Sequence, residues 1–366
     1  MFYTLFDCNE RVVLHPTLYL RHLRRRDRPA TSQRQIAHVV KLHCQWLEAW
    51  PNFEGMSVDE SLAVLDDDDI LDWITNQRTE QGLSESTINN RELLVRSMYR
   101  WFTTREGGRL RNSIPWVDGP FTRQPHEKAP RFLTPEQIIL LLDGMHTESQ
   151  RAASHFIYDT GVRVSELVRM TKGCLPSEDN WPADVNYYPL LVPGSKARRG
   201  QKVKNRYTIL SRPMLARVRR YHSSRQYALA GNWSLFDPEK PLFLNVHGGH
   251  LTENSIRKTI KSSWSRKVGS AVSENVGPHR LRHGTGLSVL LSEFGKDLVD
   301  NLIILKSMLG HEHIQTTEVY ASIPIAALQS IMGERKVRLR FEEADRIYQS
   351  TYLPVSKHTE KRGYRR

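Results

Sequence analysis

Between Ser32 and Thr104 the apolar positions keep a helical rhythm. Ile88, Leu94, Val95, Met98, Trp101 and Phe102 fall on one stripe of a 3.6-residue helix, and Ser86 or Thr87 is predicted to cap its start. Upstream, the acidic run Asp66 to Asp69 leads into Ile70, Leu71, Trp73 and Ile74. Carboxylates there suit the positive end of another helix, so this part of the chain is predicted to form a small all-helical bundle.

From Gly107 to Arg131 the apolar period fades and Gly, Pro, Arg and Lys take over, the pattern of an exposed linker. Thr134, Pro135 and Gln137 then supply an N-cap, a first-turn proline and a capping-box partner ahead of Ile138 to Leu142. Tyr187 to Val192 and Arg206 to Leu210 are β-prone stretches around a Gly- and Lys-rich segment, Gly194 to Lys204, and together predict a small antiparallel hairpin. The rest of this half reads as helix. The expected fold is therefore mainly α, of the α+β kind: a helical N-terminal domain, then a mostly helical domain with a small antiparallel β-sheet. Expected boundaries are a basic arm at 1–30, a helical domain at 31–118, a linker at 119–130, a second domain at 131–335 and a basic tail at 336–366.

Composition narrows the class. A chain of 366 residues can bury two ordinary cores. It has no apolar run of the roughly eighteen residues that a membrane span needs, and its start lacks a secretory pattern. The expected location is the cytosol, at the bacterial nucleoid, with no membrane partner. A net charge of +13 points to phosphates, because clustered cations release counterions on meeting them. Arg21, Arg24, Arg25, Arg26 and Arg28, followed by Pro29, read as an arm rather than a helix interior, with Arg24 and Arg25 as candidate DNA contacts. Cys8, Cys44 and Cys174 are too scattered for a disulfide framework or a zinc knuckle and read as reduced packing residues. The tail beyond Glu334 mixes Arg335, Lys336, Arg338 and Arg340 with Val337, Leu339, Phe341, Ile347 and Tyr348, enough for a short helix that docks elsewhere.

Four separated pieces carry the chemistry: TGVRVSEL at 160–167, GSKARRG at 194–200, HRLRHG at 279–284 and LGHEHIQTTEVY at 309–320. Each alone is an ordinary surface motif. Together they hold what phosphoryl transfer without a metal needs, since charge growing on the non-bridging oxygens must be met by fixed cations. Arg163 and Arg282 are the candidates, because a guanidinium stays charged and its planar fork matches two phosphate oxygens. A tyrosine hydroxyl, with a pKa of about 10, needs a proton acceptor and positive surroundings to act as nucleophile. His279 and His311 can accept or donate that proton near neutral pH. Lys196 can protonate the leaving oxygen, and Tyr320 is the candidate nucleophile. His279 and Arg282, three apart, share a helix face.

In order and content these boxes resemble the catalytic domain of the tyrosine recombinases, the phage integrase family, across roughly residues 130–335: T-G-x-R-x-S-E-L, H-x-L-R-H, and L-G-H followed by T-T and a tyrosine. The resemblance implies catalytic roles for Arg163, Lys196, His279, Arg282, His311 and Tyr320, with Glu166 supporting the first arginine and Tyr320 forming a 3′-phosphotyrosyl link. It implies a site-specific recombinase or integrase that clamps double-stranded DNA between a helical (SAM-like) core-binding domain and the catalytic domain. No cofactor, metal or ATP is implied, and the synaptic complex would be a homotetramer assembled from free monomers or dimers. Tails of this family often pack on a neighbouring protomer. Arg198, Arg199, Lys202 and Lys204, which share the hairpin with Lys196, are expected to contact DNA. The stretch from Arg282 to Leu309 is longer than the usual box, and Ala-Ser follows Tyr320 in place of Thr-His. Competing readings are a type IB topoisomerase-like nicking-closing enzyme, a catalytically silent DNA-binding protein, and a hydrolase using His279, His283, His311 and His313 as metal ligands.

Overall fold

The computed structural model describes residues 3–123, 131–194, 205–231, 233–234, 237–269, 276–296, 298–310 and 339–354. The chain divides into two compact units, Met1–Glu127 and Lys128–Arg366.

The first unit is helical: α1 (Leu14–Arg25), α2 (Ala30–Ala49), α3 (Val58–Val64), α4 (Asp67–Thr79) and α5 (Glu85–Phe102). Its core gathers Leu20, Val40, Leu47, Leu62, Ile70, Trp73, Val95 and Phe102. Asp66 caps α4 in a reciprocal box with Asp69, as the acidic run predicted. The cap of α5 is Ser84, not Ser86 or Thr87, its hydroxyl accepting from Thr87 N at 3.4 Å. In a Ser-Glu-Ser-Thr run every hydroxyl is chemically fit to cap, and packing of the apolar stripe chooses among them.

Two expectations for this unit are corrected. The arginine cluster read as an arm lies largely in α1, which buries Tyr19, Leu20 and Leu23 and leaves Arg21 and Arg25 exposed. The run of charge hid an apolar stripe at three- and four-residue spacing, and cations in the last turn suit the negative end of the helix. The stretch after Gly107 is also no free linker as far as residue 123. Buried Glu92 accepts from Trp116 Nε1 at 2.9 Å, Phe121 N at 2.7 Å and Thr122 N at 2.9 Å, and also from the Thr122 hydroxyl. One desolvated carboxylate thus organises a segment that has no periodicity of its own.

The second unit opens with α6 (Pro135–Asp143), capped by Thr134 and Gln137 as predicted, and continues with α7 (Glu148–Thr160) and α8 (Val164–Leu167). Strands β1 (Tyr187–Val192) and β2 (Arg206–Ser211) form a two-stranded antiparallel sheet, with Tyr187 opposite Ser211 and Val192 opposite Arg206. Helices α9 (Arg212–His222), α10 (Arg225–Ala228), α11 (Glu253–Val268), α12 (Pro278–Leu290), α13 (Leu298–Leu309) and α14 (Arg340–Thr351) complete the described elements. Helix α7 is buried at every position but Gln150; its Ala152, Phe156 and Ile157 join Leu141, Leu190, Leu210, Leu215 and Ile260 in the main core.

The tail differs from expectation. Helix α14 packs on its own unit: Ile347 enters the main core, Arg340 donates to the Asp159 and Thr285 carbonyls, and Glu343 accepts from Tyr158 and Ser288. Buried Arg217 and Arg151 grip the Thr351 carbonyl. Residues 335–338 and 355–366 lie outside the described residues. Cys44 is buried, whereas Cys8 is exposed and so is not a packing residue. No helix among the described residues is long and apolar enough to cross a membrane.

Candidate active site

The cleft of interest begins where α7 stops. Gly161 takes a left-handed φ of +66° that ends the helix, and a Cβ there would meet Leu309 Cδ2 at 2.7 Å, so glycine is needed for both backbone and space. Arg163, in extended conformation, then leads into the short α8. Glu166, on that turn, reaches back: its Oε2 accepts from Arg163 N and its Oε1 from Arg163 Nη1, each at 2.8 Å. The spacing of glycine, arginine and glutamate in the motif is thereby a local device for aiming one guanidinium.

Helix α12 presents the other group. Pro278 stands in its first turn and His279, Arg282 and His283 follow. A Cβ at Gly284 would meet Tyr158 Cε2 at 2.6 Å and the Leu133 carbonyl at 2.9 Å, so glycine lets α12 approach α7 closely. Thr285 locks the contact by donating to the Tyr158 carbonyl at 2.6 Å. Arg282, 3% exposed, donates to the Gly161 carbonyl and, at 2.6 Å, to the Leu309 carbonyl. It therefore ties together the ends of α7 and α13.

Arg163, His279 and Arg282 line one cleft of about 670 Å³, with Val162, Ser165, Arg257, Lys261, Gly277 and Arg280 among the other walls. Burial and then the charges of Arg282 and Arg163 push the His279 pKa below its usual value, so the imidazole is neutral at pH 7. His283, whose ring meets that of His279 edge-on at 4.4 Å, is pushed down to about 4 by burial, then by His279 and Arg282. Burial alone would raise the Glu166 carboxyl, yet the hydrogen bond and charge of Arg206, then those of Arg163, hold it below the usual carboxylate range. The site is thus a cationic cleft with one buried anion that orients rather than cancels. It is suited to a phosphodiester whose oxygens gain charge during reaction.

Four of the expected residues, Arg163, Glu166, His279 and Arg282, come together here. Lys196, Arg198, Arg199, Lys202, Lys204, His311 and Tyr320 lie outside the described residues, although the hairpin's flanks are described, with Gly194 N donating to Asn205 Oδ1 at 3.2 Å. Arg24 and Arg25 line, with Arg21 and Asp27, a recess of about 540 Å³ in the first unit. Of the histidines imagined as a metal cluster, His279 and His283 are neighbours and His311 and His313 are outside the described residues; no group of three metal-ligating side chains occurs among the described residues. Sequence reasoning missed Arg257 and Lys261, one turn apart on α11, and Arg206 on β2. The first two carry an i, i+4 basic signature; Arg206 carried none, since its partners are distant in sequence.

Residues 131–324, more than half of the chain, match the model of the phage integrase family. Tyrosine recombinase XerC of Halalkalibacterium halodurans is 30% identical over 262 residues, 69% of this chain and 76% of that protein. XerC of Oceanobacillus iheyensis is 28% identical over 298 residues, covering 78% and 86%. Among solved structures, XerH site-specific recombinase in its post-cleavage complex with a palindromic difH substrate superposes with a TM-score of 0.62 at 16% identity, covering 87% of this chain and 84% of that one. At that identity the likeness is one of fold. The family match over most of the second unit, together with the identity to XerC, means that the chain belongs to the phage integrase family, the tyrosine recombinases.

Proposed function

We propose that this protein is a site-specific recombinase that cuts and rejoins double-stranded DNA through a 3′-phosphotyrosyl intermediate on Tyr320. The observation that carries the reading is the pairing of Arg163 and Arg282 in one cleft, each guanidinium fixed by acceptors other than substrate. Such pre-set donors need no reorganisation when charge develops, and each is worth about 3 kcal/mol of transition-state stabilisation. In the forward step the Tyr320 oxygen bonds to phosphorus as the bond to the 5′ oxygen breaks. The tyrosine proton passes to a neutral imidazole, His279 or His311, and Lys196 gives a proton to the departing 5′ oxygen. Neutral His279 fits the accepting role because its depressed pKa keeps its lone pair free at pH 7. A 5′ hydroxyl from a second strand reverses the step, so bond energy is conserved and neither ATP nor a metal is required. Arg198, Arg199, Lys202 and Lys204 contact neighbouring phosphates, as do Arg24 and Arg25 in the first unit. Exchange between two duplexes needs four cleavages, hence a homotetramer in the synaptic complex, formed at the nucleoid from monomers or dimers.

The test is incubation with a nicked duplex carrying the ends of the protein's own genetic element, in excess EDTA, followed by mapping of the DNA-linked tyrosine. Wild type should yield a 3′-linked adduct, and Tyr320→Phe should bind the duplex and yield none. An adduct in Tyr320→Phe would move the nucleophile elsewhere; loss of the wild-type adduct in EDTA would refute metal independence.

A further inference from the structure

Arg206 lies on β2, opposite Val192, outside the six side chains assigned to the chemistry. Its side chain is 15% exposed and makes contacts in two directions. Nη2 donates to Glu166 Oε2 at 2.8 Å, and Nη1 donates to the Met308 carbonyl at the end of α13. Gly310, with φ +62°, closes on the same side chain: a Cβ there would meet Arg206 Cδ at 2.6 Å. The next residue is His311, and the chain then runs to Tyr320.

We propose that Arg206 is a positioning residue: its guanidinium joins Glu166, the carboxylate that aims Arg163, to the C-terminal end of α13, from which the chain continues to His311 and Tyr320. This rests on the reading of the site given above.

Glu166, with a side chain 2% exposed, must be neutralised where it sits. With Arg206 bound to one oxygen, Arg163 commits Nη1 to the other and retains further N–H donors on a side chain that is 32% exposed and lines the cleft. Without Arg206, Arg163 would be the one cation left beside this buried carboxylate among the described residues, and a guanidinium drawn inward to satisfy it is withdrawn from phosphate. At the other end, the final carbonyls of a helix have no intrahelical partner. Those of Met308 and Leu309 are taken by Arg206 and Arg282 respectively, so successive residues at the end of α13 are held by two guanidiniums, one of which lines the cleft. The hydrogen bond from Arg206 and its charge outweigh those of Arg163 in holding the Glu166 carboxyl down, which agrees with Arg206 as its principal counter-ion.

The experiment compares Arg206→Met, Arg206→Lys, Arg163→Ala and the Arg206→Met/Arg163→Ala double variant in full-length protein. Three quantities are read: the single-turnover rate of adduct formation at saturating nicked duplex, the Kd for that duplex, and the carboxyl titration of Glu166 by ¹³C NMR. A misplacement of about 1 Å costs about a hundredfold in rate, so Arg206→Met should lose about that much while Kd moves less than about threefold. In the Arg163→Ala background the same change should cost little more, because the group it aims is gone. Arg206→Lys, which keeps the charge but lacks the two-pronged fork, should fall between. Glu166 should titrate at higher pH in Arg206→Met than in wild type. Fully multiplicative losses in the double variant, a Kd that weakens in step with the rate, or an unmoved Glu166 titration would each overturn the proposal. Should Arg206→Met fail to fold, a wild-type rate in Arg206→Lys would do the same. Failure of the functional reading is separate: wild type would then form no adduct, and the Glu166 titration would still decide the role of Arg206.

Discussion

Arg340 offers the sharpest probe of how the C-terminal helix serves the catalytic unit. Its side chain, in a residue 5% exposed, spans two core helices, donating to the Asp159 carbonyl of α7 at 2.5 Å and the Thr285 carbonyl of α12 at 3.3 Å. Those helices carry the two ends of the arginine pair, since Gly161 and Arg163 follow α7 and Arg282 lies within α12. Arg340→Ala removes a charged donor from each of two carbonyls in the buried part of the unit. A hydrogen bond to a charged group is worth about 1.5–3 kcal/mol, and the longer of the two belongs at the low end. The expected loss is about 3 kcal/mol. For a unit of this size each kcal/mol moves Tm by roughly 2–4 °C, so the transition of the second unit should fall by about 6–12 °C in scanning calorimetry. Arg346→Ala is the control: its ion pair with Glu136, at 2.6 Å between side chains more than half exposed, should be worth under about 1 kcal/mol. A fall in Tm below about 2 °C for Arg340→Ala, or equal effects from both substitutions, would refute the view that α14 is an integral layer of this unit.

Arg282→Ala should reduce adduct formation about a hundredfold or more, the loss expected for one pre-set donor, with DNA binding largely kept; near-normal single-turnover cleavage would dismiss the arginine pair. Acid should destabilise the first unit through His43, which is fully buried, hydrogen-bonded to the Tyr99 hydroxyl at 3.0 Å, and pushed down by burial to about 3. The unfolded chain takes up the proton near pH 6.5, so this contribution is complete above that value and is lost as pH falls from about 6.5 toward 3, amounting to roughly 2 kcal/mol at pH 5. Urea unfolding of wild type and His43→Gln at pH 7 and pH 5 measures it, and an identical pH dependence in the two would contradict the assignment.

The local grammar of this protein was legible in its residues. The capping box of Thr134 and Gln137, the acidic start of α4, the helical stripe of α5 and the paired strands around the Lys-rich segment all follow from side-chain chemistry acting over a few residues. The four motif boxes were legible for the same reason: Gly161 and Glu166 act on Arg163 within five positions, and His279 and Arg282 share one turn of a helix. Misreadings arose where charge masked apolar spacing, as in α1, or where a single buried group organised an aperiodic stretch, as Glu92 does for Trp116 to Thr122.

Residue types and short-range spacing alone determined which groups could do chemistry and which segments would be helix or strand, because caps, turns and amphipathic stripes are energies of neighbours. Tertiary structure alone decided which of those groups meet. Arg206 reaches Glu166 across 40 positions and Met308 across 102, and Arg340 reaches Asp159 across 181. Such contacts leave no periodic trace, since each is chosen by the desolvation of a particular carbonyl or carboxylate once the helices have packed, and that choice exists only in the folded chain.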